Sequence, residues 1–243
     1  IALSSSNSDV IYFTNDNEIY KTNNGGISWS QINNNLPNRY VSYIIVHPND
    51  ENKVWVTFSG YGSGQKVYKT NNGGANWVNI SGSLPNLPVN CIELDKNDSL
   101  ESIYIGTDIG VYRSDSTLND WNLFNNNSLP NVIVNELEIQ YQSNKLVAAT
   151  YGRGLWNVNL EITSPPIANF SYSDSIFCNT PAEVSFSNNS YYSTSYYWDF
   201  GDGNYSTLSN PTHIYNSFGV FNVKLIATGP LGADTIVYQQ IIN

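Results

Sequence analysis

The sequence predicts an all-β chain in two parts: an array of four-stranded units in the manner of a β-propeller, followed by a β-sandwich. Three observations predict it. The octapeptide Thr22-Asn23-Asn24-Gly25-Gly26-Ile27-Ser28-Trp29 returns as Thr70-Asn71-Asn72-Gly73-Gly74-Ala75-Asn76-Trp77, and a degenerate copy ends at Trp121. The tryptophans at 29, 77 and 121 set a period in the forties, the spacing of propeller-like arrays. Around each copy, alternating apolar residues and turn residues mark one strand after another, and no segment holds a helical period.

The clearest unit reads as strands over 41–46, 53–59, 66–71 and 76–81, and the next over 89–96, 102–108, 110–115 and 120–125. An earlier unit covers 1–4, 10–14, 18–23 and 28–33. The last covers 132–140, 145–151 and 154–160 and stops one strand short. After each fourth strand comes the same punctuation: Leu36-Pro37-Asn38, Leu84-Pro85-Asn86 and Leu129-Pro130-Asn131. Proline there ends the strand and stiffens the step to the next unit. Residues 1–161 therefore hold about three and three-quarter blades. They are expected to be the C-terminal part of a larger propeller whose missing N-terminal blades belong to the same parent chain. A closed four-bladed ring is the alternative. Pro165 and Pro166 stiffen a linker over 162–166. Residues 167–243 then read as about seven short strands, a sandwich.

Composition narrows the function. The 243 residues carry a net charge of −10 with only 12% charged residues, which argues against nucleic acid as a partner. No apolar run is long enough for a membrane-spanning helix, so membrane insertion is not expected. Cys91 and Cys178 fall in different parts, and no Cys/His spacing suggests a metal. Neither a metal nor a cofactor is expected.

The octapeptides resemble the Asp-box of the BNR repeat family, which includes sialidases, xyloglucan hydrolases and sortilin-like receptors. Thr22, Asn24, Gly26 and Trp29 carry the resemblance, as do Thr70, Asn72, Gly74 and Trp77, with Trp121 in the third copy. Asn stands where the family has Asp. The resemblance implies a tight turn with glycine at positive φ and a tryptophan ring packed between blades, on the face away from any active site. Tyr197-Trp198-Asp199-Phe200-Gly201-Asp202-Gly203 and the following Asn210-Pro211-Thr212-His213-Ile214-Tyr215 resemble a PKD domain. That implies an Ig-like sandwich with Trp198 and Phe200 inward and a hairpin turn at Gly201-Asp202-Gly203. His213 is then a packed, hydrogen-bonded residue and Cys178 an unpaired thiol. The loop 188–195 has no acid, so calcium is not expected there. Together the two parts resemble large bacterial secreted proteins exported by the type IX route. In such proteins Ser99, Ser116, Ser175 and Thr235 fit an Asp-Ser/Thr pattern for O-glycosylation.

The only arginines are Arg39, Arg113 and Arg153, too poorly placed for the triad of a sialidase. The turns joining second to third strands, with the blade connections, define the face open to a ligand. There Asp16 and Asp108 are the candidate acid/base pair, Tyr40 and Tyr61 candidates for stacking on a sugar, and Arg153 a candidate carboxylate ligand. In the second part, Tyr191, Tyr192 and Tyr197 read as an exposed aromatic cluster suited to polysaccharide. The expected function is a noncatalytic portion of a secreted or surface-attached protein, with polysaccharide or another surface or secretion protein as partner. One alternative is part of a secreted glycoside hydrolase with its carboxylates mainly upstream. Another is a protein-binding receptor or assembly propeller.

Overall fold

The computed structural model describes residues 1–118, 120–125, 129–160, 164–173 and 180–242. They are all strand, turn and loop, and no helix among them is long and apolar enough to cross a membrane. The chain forms two compact units. One comprises Ile1–Gln140 with Lys145–Asn159, the other Tyr141–Asn144 with Leu160–Asn243.

The first unit is a series of antiparallel meanders, each a blade. Blade one is β1 (Ala2–Leu3), β2 (Ile11–Asn15), β3 (Glu18–Thr22) and β4 (Ser30–Gln31). Blade two is β5 (Val41–His47), β6 (Asp50–Phe58), β7 (Val67–Thr70) and β8 (Val78–Asn79). Blade three is β9 (Val89–Leu94), β10 (Ile103–Thr107), β11 (Gly110–Ser114) and β12 (Asn122–Leu123). The fourth sheet has three strands among the described residues: β13 (Val134–Gln140), β14 (Lys145–Thr150) and β15 (Gly154–Asn159). Hydrogen-bonded neighbours follow chain order in every sheet, the topology of a propeller blade.

Packing between blades explains the strand sequences. Val54–Phe58 of β6 is buried at every residue, because a middle strand of a middle blade is covered on both faces. One core joins blades one and two through Tyr12, Ile19, Val56, Tyr68 and Trp77. Another joins blades two and three through Trp55, Val67, Ile92, Ile105 and Trp121.

The outermost strands are shorter than the sequence predicts, two residues each. The ladder ends there because a side chain takes it over. Asn33 Oδ1 accepts from Ile19 N (2.7 Å), Ser81 Oγ from Val67 N (3.0 Å) and Asn125 Oδ1 from Val111 N (3.0 Å). The backbone is thereby released for the turn into the next blade.

The second unit contains β16 (Phe170–Tyr172), β17 (Ala182–Asn188), β18 (Ser195–Asp199), β19 (Tyr205–Ser206), β20 (Thr212–Tyr215), β21 (Phe221–Gly229) and β22 (Gly232–Ile242). Two sheets, ordered β16-β17-β20 and β19-β18-β21-β22, enclose one aromatic core. Trp198 is fully buried at its centre, edge-on to Phe170 (5.1 Å), and its Nε1 donates to the Leu208 carbonyl (2.9 Å). Phe200 is buried beside it. The hairpin turn falls at Gly201-Asp202-Gly203, where Phe200 N bonds the Asn204 carbonyl (3.1 Å). Gly201 has φ +79°, and a Cβ there would run into the backbone of Asn222, so only glycine fits. His213 stacks flat on Phe200 (4.2 Å) and bonds Asp202 Oδ2 (2.8 Å), a packed structural residue. Lys224 Nζ lies 3.2 Å from Asp199 Oδ2. Cys91 is a buried free thiol, pushed up to about 12 by burial, and Cys178 lies outside the described residues.

Candidate functional site

The turns between second and third strands, with the blade connections, carry the residues singled out in the first unit. Asp16 occupies the β2–β3 turn at φ 52°, and its carbonyl accepts from Val41 N of the next blade (2.7 Å). Asp108 sits in the β10–β11 turn, and its Oδ1 accepts from Asn90 Nδ2 (3.1 Å). The same Asn90 amide donates to the Val134 carbonyl of the fourth sheet (3.2 Å). The bond at Asp16 is made by its backbone carbonyl and the one at Asp108 by its carboxylate, each to a residue outside its own turn. Tyr40 and Tyr61 are both exposed, at 60% and 68%. Their segments adjoin, since Ser59 N bonds the Tyr40 carbonyl (3.1 Å). Arg153 is exposed, and its carbonyl accepts from Trp156 Nε1 (3.1 Å).

Two cations gather on the same 59–62 segment, Arg39 and Lys66. Arg39 is pressed against Gly60 and Gly62, with Nη2 to the Ser59 carbonyl (3.3 Å) and Nε buried without a partner. Lys66 is fully buried, its Nζ donating to the Gly60 carbonyl (2.7 Å). Burial, reinforced by Arg39, pulls the Lys66 ammonium below its usual range, against the pull of Asp108. A lysine at a strand start reads as solvated, so nothing in the sequence announced its burial.

A second cluster lies on the inner strands, where blades pack side by side. Glu93 projects from β9, and Glu136 and Glu138 come from β13, which packs on it. Tyr43 of β5 donates its hydroxyl to Glu136 Oε1 (3.0 Å). Burial first, then Glu138, pushes the Glu93 carboxyl up to about 8, with Lys96 opposing and Glu136 and Asp95 adding. The shift is towards the protonated form, the state a general acid requires. Adjacency across blades is not visible in a linear sequence, so nothing there marks these acids as a group.

A cleft of about 330 Å³ opens beside the third tryptophan turn, lined among others by Trp55, Lys69, Glu101, Asp115, Asp120 and Trp121. Its carboxylates are engaged: Glu101 by Lys53, Asp115 by Arg113 Nη2 (2.9 Å), and Asp120 by the amides of Ser83 and Trp121 (both 2.8 Å).

In the second unit the expected tyrosine cluster is rearranged. Tyr192 is buried, at φ 56° in a turn, so it offers no exposed ring. Tyr191 is half-buried, edge-on to Tyr141 (6.0 Å). Tyr197 is exposed as expected, but its companion is Tyr205. Cross-strand pairing sets Asp199 of β18 opposite Tyr205 of β19, and the Tyr197 and Tyr205 rings stack at 5.9 Å and 18°. Of the candidate glycosylation positions, Ser99, Ser116 and Thr235 are exposed, and Ser175 lies outside the described residues.

Comparison with known proteins bears mainly on the second unit. Collagenase ColA of Bacillus cereus is 44% identical over 41 residues, which is 17% of this chain and 4% of that protein. The chain thus spans a small fraction of the curated relative it matches. Among solved structures, the PKD1 domain of the Vibrio cholerae metalloprotease PrtV is 29% identical, covering 33% of this chain and 99% of that one, with a TM-score of 0.29. The extracellular domain of BT4673 from B. thetaiotaomicron aligns with 98% of this chain and 36% of its own, at 14% identity and a TM-score of 0.48. The family model of the PKD domain matches residues 163–241. With the packed Trp198 core and the Gly201-Asp202-Gly203 turn, this segment is a PKD domain, a module typical of extracellular proteins.

Proposed function

We propose that the chain is a noncatalytic binding portion of a secreted or cell-surface bacterial protein. The propeller blades serve as a platform, and the PKD domain adheres to polysaccharide. The observation that carries this is the stacked pair Tyr197–Tyr205, 40% and 70% exposed. Two nearly parallel rings on the β18–β19 hairpin present a flat apolar face with polar hydroxyls at its edge, suited to the C–H face and hydroxyls of a sugar ring. Retention on insoluble chitin, cellulose and xylan tests it. The double variant Tyr197→Ala/Tyr205→Ala is expected to lose at least about tenfold in affinity, roughly the 1.4 kcal/mol of one lost aromatic contact. Wild-type retention by that variant would sink the reading.

The octapeptide turns support assignment of the blades to the Asp-box repeats of the BNR family. The exposed Ser99, Ser116 and Thr235 accord with O-glycosylation after type IX export. Intact-mass measurement of the native protein checks the modification.

One observation favours a second reading, part of a glycoside hydrolase: Glu93 is pushed up to about 8 beside Glu136 and Glu138. Its folded-state value lies above the unfolded one, so the stability it contributes is complete below about pH 4 and is lost as pH rises through 8. Glu93→Gln is therefore expected to stabilise the protein at pH 9 by on the order of 2–3 kcal/mol and to leave it nearly unchanged at pH 4. If this acid protonates a leaving group, the same variant abolishes hydrolysis of an aryl glycoside. Glycosidase activity undiminished in Glu93→Gln would remove the second reading.

A further inference from the structure

Three tryptophans end the repeated turns, and two of them do the same thing. Trp77 Nε1 donates to the carbonyl of Ile32 (2.8 Å), and Trp121 Nε1 to that of Ile80 (2.7 Å). Ile32 and Ile80 each follow the outermost strand of the preceding blade, β4 and β8. Both indoles are buried, at 5% and 6% exposure. Trp29 stands at the same repeat position but is 41% exposed, and its Nε1 turns back to its own Gly26 carbonyl (3.1 Å).

The surface around Trp29 repeats the contrast. Phe13 and Tyr20 pair across β2 and β3 as Val56 and Tyr68 pair across β6 and β7. Val56 and Tyr68 are buried against blade one. Phe13 is 41% exposed, and with Ile1, Tyr20 and Trp29 it lines an open apolar hollow of about 430 Å³. At Gly74 a Cβ would collide with the Ile32 side chain, whereas at Gly26 it would meet only Trp29. Everything that receives a preceding blade is present on blade one, in register, without that blade.

We propose that this face receives the outermost strand of a further blade carried by the same polypeptide outside residues 1–243. On docking, Trp29 Nε1 leaves Gly26 and donates to the main-chain carbonyl of the residue that follows that strand. A second copy of these residues is the poorer partner: its Ile32 and Ile80 carbonyls already accept Trp77 and Trp121, and its third blade already packs against the fourth sheet through β9, β10 and β13. The inference stands independently of polysaccharide adhesion.

Hydroxyl-radical footprinting of the native parent polypeptide and of the 243-residue chain tests it, with oxidation read tryptophan by tryptophan. In the 243-residue chain Trp29 is expected to oxidise several-fold faster than Trp77 and Trp121. In the parent its rate is expected to fall to theirs. Equal Trp29 rates in the two proteins overturn the proposal, as does a native polypeptide with nothing beyond these residues. Protection in the 243-residue chain that grows with its concentration overturns it too, by assigning the face to a second copy.

Discussion

The turns 70–77 and 114–121 deliver a tryptophan to the same place by different chemistry. In the first, Thr70 Oγ1 donates to Asn72 Oδ1 (2.8 Å) and accepts from Gly74 N (3.1 Å), while Asn76 N donates to Asn72 Oδ1 (2.9 Å). No charge is involved. In the second, Asp115 Oδ1 accepts from Thr117 N (2.8 Å) and Leu118 N (3.0 Å), and its Oδ2 pairs with Arg113. Asp120 Oδ1 then ties Trp121 N to Ser83 N of the preceding blade connection. Both rings still reach the carbonyl beyond the preceding outermost strand. The fold fixes where the ring must be, and the turn that puts it there is interchangeable. What differs is the response to pH, since carboxylates titrate and amides do not.

If ring position is what matters, removing the ring has the largest effect, and its size follows burial. Trp77→Ala empties a buried site between two blades and strands the Ile32 carbonyl, at a cost of roughly 3–5 kcal/mol. Trp121→Ala is expected to cost about as much by the same mechanism. Trp29→Ala, in the 243-residue chain, is expected to cost under about 1 kcal/mol, because its ring covers little and bonds only its own turn. Urea unfolding of the three variants measures this. Equal losses at all three positions would break the equivalence of ring position and stability.

Acid separates the two turns next. At Asp115, burial raises the carboxyl, but the bonds from Thr117 and the Arg113 charge outweigh it and the net shift is downward. At Asp120 the Ser83 bonds, then Trp121, hold the carboxyl low. Folded-state values below the unfolded ones mean stability that is present above about pH 4 and is lost as pH falls through the lower folded values. Between about pH 4.5 and 2.5, amide-exchange protection at Leu118, Trp121 and Ser83 is expected to drop while that at Gly74 and Asn76 holds. A parallel fall at both turns would show that the carboxylates contribute nothing specific.

The same contrast explains what could be read before the structure. The glycine turns, the strand pairs and the buried Trp198 and Phe200 follow from local pattern, because period-two alternation and turn residues act over a few positions. Glu93 and Lys66 did not, since their burial comes from neighbouring blades and from a loop folding back. Tyr192 looked exposed beside Tyr191 and Tyr197, yet its left-handed turn sends it inside. Tyr205 is not legible as the companion of Tyr197, because only the β18–β19 pairing places it there. The outermost strands ended early because Asn33, Ser81 and Asn125 replace backbone partners with side-chain oxygens. Propensity does not register such a substitution.

The smallest expected effect probes the comparison most closely. Asn72→Asp keeps the oxygen that accepts from Thr70 Oγ1 and Asn76 N, the two bonds that shape the turn. Near neutral pH it is expected to change stability by no more than about 0.5 kcal/mol, against a loss of about 1 kcal/mol for Asn72→Ala, which removes the acceptor. The difference between the turns then predicts what the new carboxylate adds. Because a carboxylate accepts from a backbone amide more strongly than the protonated acid does, it should give turn 70–77 part of the acid sensitivity of turn 114–121. Exchange protection at Asn76 would fall below about pH 4 in Asn72→Asp and hold in the parent sequence. If Asn72→Asp instead loses as much as Asn72→Ala at neutral pH, the amide nitrogen matters as well as the oxygen, and the two chemistries are not interchangeable at this position.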